Sequence, residues 1–212
     1  MPDFTQDKIA LLLMAAGSSS RLGQPKQLVE ISVANKSSGS LLHRQVAMMD
    51  TICLSINAQA YCVLGFEGDT MIKHLANSAS AQNLTIIDNA NWSHGLSTSI
   101  AKGVSLVASD VSAVLVFLVD QWQLSTENLT QLITQWRKQP EFIHVASLDE
   151  CFSPPVIFPR RFFNELIALT GDDGAKKVIK DNIKQVKSVA MPNAFVDLDT
   201  PEQLQNLKNN KH

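Results

Sequence analysis

Cysteine is scarce in this chain of 212 residues. Cys53, Cys62 and Cys151 are scattered and form neither a Cys-x-x-Cys pair nor a Cys/His zinc spacing. Free thiols in a reducing compartment are expected, not a disulfide framework. Charge of one sign is also lacking: 18 Lys+Arg against 20 Asp+Glu leave a formal net charge of −2. So weak a basic field does not hold polynucleotides, so nucleic acid is not an expected partner. The longest early apolar run, Ile9 to Ala16, is far too short to span a membrane, and Asp3 and Asp7 stand where a signal peptide would be basic. No membrane is expected as a partner, and a cytoplasmic location is. The Asn-x-Ser/Thr triplets at Asn83, Asn91 and Asn128 then carry no meaning for glycosylation. Repeats and low-complexity linkers are missing. His43, His74, His94 and His144 share no ligand spacing, so none is assigned to a metal.

What is present is an ordinary globular balance, 45% hydrophobic and 18% charged, over a length that suits one α/β domain spanning residues 1–212. Ile9 to Ala15 and Val111 to Val119 are nearly continuous apolar runs, as expected of strands covered on both faces. Shorter strands are expected at Ala60 to Leu64, Leu84 to Ile87, Phe142 to Ala146, Val156 to Phe158 and Val186 to Val189. Between them lie helical patterns at Leu41 to Met49, Leu96 to Val107, Phe162 to Leu169 and Ala175 to Asn182. Leu129, Leu132, Ile133 and Trp136 follow helical spacing behind Ser125 as N-cap, and Thr200, Pro201 and Gln203 form a capping box for a last helix. Ser32 to Ser40 is expected as a surface loop, Lys208 to His212 as a frayed tail, and Lys176, Lys177, Lys180, Lys184 and Lys187 as a solvated face. Buried strands separated by helices imply a mainly parallel sheet with helices on both faces, whose ligands bind at the carboxyl ends of the strands.

The loop after the first strand, Ala15-Ala16-Gly17-Ser18-Ser19-Ser20-Arg21-Leu22-Gly23-Gln24-Pro25-Lys26, combines small residues with two cations. Small residues let backbone N–H groups approach an anion, and Arg21 and Lys26 set positive charge beside them. Triphosphate chemistry needs both features, because developing negative charge must meet donors already in place. The loop is not a Walker A motif, since Leu22 stands where that pattern requires Gly before Lys, and it is not G-x-G-x-x-G. Asp120 closes the second apolar strand, where it can either cap the next turn or offer oxygen to a hard cation such as Mg²⁺.

Ala15-Ala16-Gly17-x-Ser19-x-Arg21-x-Gly23-x-x-Lys26 resembles the signature loop of the MobA-like NTP transferases, and most the molybdenum cofactor cytidylyltransferase (MocA-like) branch. The likeness continues in Asn91-Trp92-Ser93-His94-Gly95-Leu96-Ser97-Thr98-Ser99, in Asp120-Gln121, in Ser153-Pro154 to Phe158, in Gly171-Asp172-x-Gly174-Ala175 and in Asp197-x-Asp199-Thr200-Pro201-Glu202. The chain departs from the pattern at Trp122, where the family has proline, and at Ser153, where it has glycine.

The resemblance implies a single-domain, Rossmann-like three-layer α/β/α fold of nucleotide-diphospho-sugar transferase type, with a mixed sheet holding one antiparallel strand. It implies a cytoplasmic enzyme that transfers CMP from CTP to a molybdopterin-type cofactor with release of pyrophosphate. Arg21, Lys26 and Asp120 would be catalytic. Ala15, Ala16, Gly17, Ser18, Ser19, Arg21, Lys26, Asn91, Gly95, Ser97 and Ser99 would bind the nucleotide. Asp120 and Asp199 would hold Mg²⁺, with Asp197 second to them. A molybdoenzyme would be the expected protein partner. Ala16 favours cytidine, since the guanosine branch carries Gly there. A guanylyltransferase, a sugar- or polyol-phosphate cytidylyltransferase, and a non-catalytic nucleotide-binding protein or cofactor-insertion chaperone remain as alternatives.

Overall fold

The computed structural model describes residues 8–31, 39–76 and 78–209. In chain order the elements are β1 (Ile9–Met14), β2 (Glu30–Ile31), β3 (Gly39–Ser40), α1 (Leu41–Ser55), β4 (Ala58–Leu64), α2 (Gly68–Leu75), β5 (Leu84–Asp88), α3 (Leu96–Leu106) and β6 (Ala113–Leu118). They continue with α4 (Thr126–Lys138), β7 (Ile143–Leu148), β8 (Cys151–Pro159), α5 (Phe163–Ile167), α6 (Lys176–Asp181), β9 (Val186–Ala190) and α7 (Pro201–Asn209).

Seven strands form one sheet in the order β5-β4-β1-β6-β8-β7-β9. Only β8 runs against its neighbours; the other pairings in this sheet are parallel. This is the mixed α/β sheet that the apolar strand runs and the resemblance led us to expect.

Strand alternation builds a separate core on each face. Ile9, Leu11 and Leu13 of β1, with Leu115 and Phe117 of β6, pack under α1, α2, α4 and α7. Leu12 and Met14, with Val114 and Val116, pack under α3, α5 and α6 on the other face. Because both faces are covered, β1 is buried along its whole length. Two helix starts are built as the sequence indicates: Ser125 and Asn128 form a reciprocal capping box on α4, and Thr200 and Gln203 do so on α7.

Three local expectations change. Ser40 is not on a surface loop: it is 1% exposed and its hydroxyl caps α1 by accepting from the His43 N–H, while residues 32–38 lie outside the described set. Lys208 and Asn209 belong to α7, not to a frayed tail, and residues 210–212 lie outside the described set. α2 had no counterpart among the expected helices. It starts from Glu67, in the left-handed conformation and without a capping side-chain bond, so no start signal is written in its sequence.

The order of strands reverses at β1: the chain runs outward through β4 and β5, then returns to place β6 on the other side of β1. Such a reversal opens a crevice beyond the carboxyl ends of the two strands it separates. Those ends carry the Ala15–Lys26 loop and Asp120.

Candidate active site

A cleft of about 450 Å³ occupies that crevice. Ala15, Ala16, Gly17, Ser18, Arg21 and Lys26 line one side of it, Gly95 and Ser99 another, and Asp120 its floor at the end of β6. Ser20, Gln27, Trp92, Ser93, Leu96, Leu118 and Asp172 complete the wall.

The loop holds itself in shape. Ser19 adopts a left-handed backbone angle, φ 55°, and its carbonyl accepts from the Leu22 and Gly23 N–H groups. Its hydroxyl accepts from the Lys26 N–H at 3.1 Å. Ser19 therefore braces the loop, whereas its neighbours form the wall.

Lys26 is the electrostatic centre. Its ammonium donates to Asp120 at 2.6 Å and to Asp199 at 2.8 Å, and the side chains of Lys26 and Asp120 are each 14% exposed. Arg21, 73% exposed, reaches Asp199 from the solvent side at 2.8 Å. Burial disfavours the Lys26 charge, but Asp120 and Asp199 more than offset it and hold its pKa above the ordinary lysine value. Burial likewise works against ionised Asp199, and the bonds and charge of Lys26 and Arg21 overcome it, so its pKa is lowered. Asp197 lacks such partners. Burial first, then Asp120 and Asp199, pushes its carboxyl up to about 6, with Lys26 pulling the other way.

These contacts set aside a capping role for either carboxylate. The Asp120 side chain turns to Lys26 and caps no turn. Asp199 pairs with both cations, while the start of α7 is capped by Thr200.

The second segment divides its roles. Gly95 opens α3 at φ 101° without any side-chain cap, so neither Ser93 nor Ser97 caps this helix. Ser97 is fully buried, its hydroxyl donates to the Gly174 carbonyl at 3.3 Å, and its N–H donates to the Gly171 carbonyl. Asn91 is exposed and its carbonyl accepts from the Thr98 hydroxyl. Asn91 and Ser97 thus stand off the cleft wall and tie the segment together, while Gly95 and Ser99 face the cleft. A Cβ on Gly95 would run into the Asp172 carboxylate and the Gly171 carbonyl. Gly95→Ala is therefore expected to destabilise the fold by about 1–3 kcal/mol through overpacking and a strained φ. It should also weaken nucleotide binding; thermal unfolding and a nucleotide titration check both effects.

The departures from the family pattern are absorbed. Ser153 does not have a positive φ, so no glycine-only angle is needed there, and its hydroxyl donates to the Ala194 carbonyl. Trp122 packs half-buried against the core, while Gln121, fully buried, donates to the Pro154 and Ala194 carbonyls. That staple joins the end of β6 to β8 and to the segment before Asp197.

A second cavity of about 810 Å³ adjoins the cleft and shares Leu96, Leu118 and Asp172 with it. Its wall is largely apolar: Ile100, Val116, Phe152, Pro154, Val156, Ile179, Ile183 and Phe195. Lys176 and Lys180 lie at its edge, so two lysines of the expected solvated face border a cavity, and Asp197 lies on the side toward the cleft. Gln27, Trp92 and Asp172 carried no functional expectation from sequence. Only the motif position of Asp172 and the adjacency of Gln27 to Lys26 could have marked two of them.

The MobA-like NTP transferase domain family matches residues 11–188. The chain belongs to that family. It is 28% identical over 199 residues to the purine catabolism protein PucB of Bacillus subtilis (strain 168), an alignment covering 91% of this chain and 92% of PucB. Among solved structures it is similar to Rv0371c from Mycobacterium tuberculosis H37Rv, with TM-score 0.75, 22% identity, and coverage of 97% of this chain and 100% of that one. A manganese complex of Rv0371c superposes with TM-score 0.70 at 21% identity over 95% and 98% of the two chains. The 4-diphosphocytidyl-2C-methyl-D-erythritol synthase of Anaerococcus prevotii DSM 20548 follows, with TM-score 0.69, 14% identity, and coverage of 99% and 98%. These likenesses carry the fold. No helix among the described residues is long and apolar enough to cross a membrane.

Proposed function

We propose that this nucleotidyltransferase moves CMP from CTP onto a molybdopterin-type cofactor and releases pyrophosphate. The observation that carries the reading is the pairing of one half-buried lysine, Lys26, with two aspartates, Asp120 and Asp199, beside a small-residue loop at the point where strand order reverses.

A divalent cation suits the donors present. Asp120 Oδ1 is buried without a partner among the described residues, and Asp120 and Asp199 already converge on a cation, the Lys26 ammonium. Among the described residues no group of three His, Cys, Asp or Glu side chains is placed to hold a metal ion, although Asp197 lies near Asp120 and Asp199. Two carboxylates fit Mg²⁺, which keeps waters and takes its remaining oxygens from phosphate. Manganese in the Rv0371c complex supports a hard cation at this fold. Bound there, the ion would neutralise phosphate charge and orient the α-phosphorus for in-line attack.

The chain's own residues do the rest. Backbone at Gly17, Ser18 and Ser20 would line the phosphates, the Lys26 ammonium would meet the charge that develops on the transferred group, and Arg21 would close over it from solvent. No covalent nucleophile is needed, because position and charge neutralisation carry this chemistry. The apolar cavity beside the cleft suits a flat heteroaromatic acceptor, with Lys176 and Lys180 at its rim. A polyol phosphate would set its hydroxyls against apolar carbon there. CTP is preferred over GTP in this reading because Ala16, which lines the cleft, stands where the guanosine branch has Gly.

Thermal unfolding with CTP, GTP and ATP, each with and without Mg²⁺, tests the reading. At one hundred times its dissociation constant a ligand adds about 2.7 kcal/mol. A Mg²⁺-dependent rise with CTP alone is expected. A rise with GTP alone moves the assignment to a guanylyltransferase, and no rise with any nucleotide removes the enzyme reading.

A further inference from the structure

We infer that Gln27 is a positioning residue that presets the loop's N–H donors for the triphosphate, an inference that rests on the nucleotide-binding reading above. Gln27 is fully buried beneath the loop. Its amide nitrogen donates to the Ala15 carbonyl at 2.8 Å and to the Gly17 carbonyl at 2.9 Å. Both amide hydrogens are thereby used, while Oε1 has no partner among the described residues. The amide orientation is fixed by this pattern alone, because the flipped form would press Oε1 against two carbonyls.

A peptide group is planar and trans, so its C=O and the following N–H point in opposite directions. Holding the Ala15 and Gly17 carbonyls down on Gln27 turns the Ala16 and Ser18 N–H groups to the opposite side of the loop. We place that side toward the cleft, since Ala16 and Ser18 both border it, while Gln27, which also borders it, is fully buried. Neither N–H has a partner within the described residues. The intervening Ala16 carbonyl is held elsewhere, accepting from the Phe66 N–H at 3.0 Å, so the alternation is locked at each step. Donors aimed before the ligand arrives need no reorganisation when charge develops. Without the Gln27 amide, the two carbonyls would be free to rotate toward the cleft and face the phosphates with the wrong sign of dipole.

The test measures binding of Mg·CTP, pyrophosphate and cytidine to the wild-type chain, Gln27→Met and Gln27→Glu. Met keeps the length and loses the donors; ionised Glu places a carboxylate against both carbonyls. Affinity for Mg·CTP and for pyrophosphate is expected to fall at least about tenfold in both variants, with cytidine little changed. Measured against wild type at the same pH, Gln27→Glu should recover part of its pyrophosphate affinity on acidification, since a neutral carboxyl regains one donor. Wild-type affinity in Gln27→Met overturns the inference. Should both variants misfold, NMR of the wild-type chain decides: pyrophosphate should shift the Ala16 and Ser18 amide resonances, and unmoved resonances overturn it. A wild-type chain that binds no nucleotide overturns the nucleotide reading itself, a result distinct from variants that bind as well as wild type.

Discussion

Lys26→Ala is expected to lower turnover by about a hundredfold or more, the loss typical when one preorganised donor to a developing charge is removed. The fold should persist, because Lys26 is held by side-chain ion pairs and the loop is braced independently through Ser19. Stability should nevertheless change in a characteristic way. Without the ammonium, Asp199 and Asp197 lose the charge that pulls their carboxyl pKa values down, and both values rise. A carboxyl whose folded pKa lies above its unfolded value stabilises at low pH, and that stability is lost as pH rises through the folded value. The variant should therefore melt higher near pH 5 than near pH 8 relative to wild type, and added Mg²⁺ should restore part of the loss at pH 8, by about the linkage expected of any native-state ligand. Pyrophosphate release and thermal unfolding across pH measure both effects. Unchanged turnover would remove Lys26 from the mechanism.

Asp120→Asn is expected to cost as much in turnover, about a hundredfold or more, for a different reason. The substitution keeps the shape at the end of β6 and leaves the Leu198 N–H bonded to the residue 120 carbonyl. It removes half of the charge that would hold a divalent ion, and the buried Oδ1 no longer offers a full negative charge. The distinguishing result is the loss of the Mg²⁺-dependent part of nucleotide binding, while the part due to the loop and Arg21 remains. A nucleotide titration with and without Mg²⁺ separates the two. A variant that keeps full Mg²⁺ dependence would place the metal elsewhere, and a non-catalytic nucleotide-binding protein would lose nothing of its cellular role.

Much of this arrangement is legible in the residues themselves. β1 and β6 announce themselves because strands covered on both faces must be apolar on both, and Ile9 to Met14 and Ala113 to Leu118 have no polar residue. The starts of α4 and α7 are written in Ser125 with Asn128 and in Thr200 with Gln203, since orphan N–H groups need local acceptors. The loop chemistry follows from small residues and cations directly after a buried strand.

Other parts are decided by tertiary contact. Ser97 sits in a segment rich in hydroxyls, yet it is buried because the Gly171–Gly174 turn packs onto it. Gln27 has nothing in its sequence neighbourhood to show that its amide reaches back to Ala15 and Gly17. Asp172 enters the cleft only because that turn crosses Gly95, and the apolar cavity is assembled from α3, β6, β8 and α6, which no local pattern brings together. The reversal of β8 was legible only through the family likeness, since alternation says nothing of strand direction.

The most direct measurement is to follow CTP labelled at its α-phosphorus through a reaction with the molybdopterin-type acceptor, the chain and Mg²⁺. Transfer of the label to the acceptor with matching release of pyrophosphate is the expected result. Release of orthophosphate with the label left on CDP, or no consumption of CTP while the nucleotide binds tightly, would contradict it.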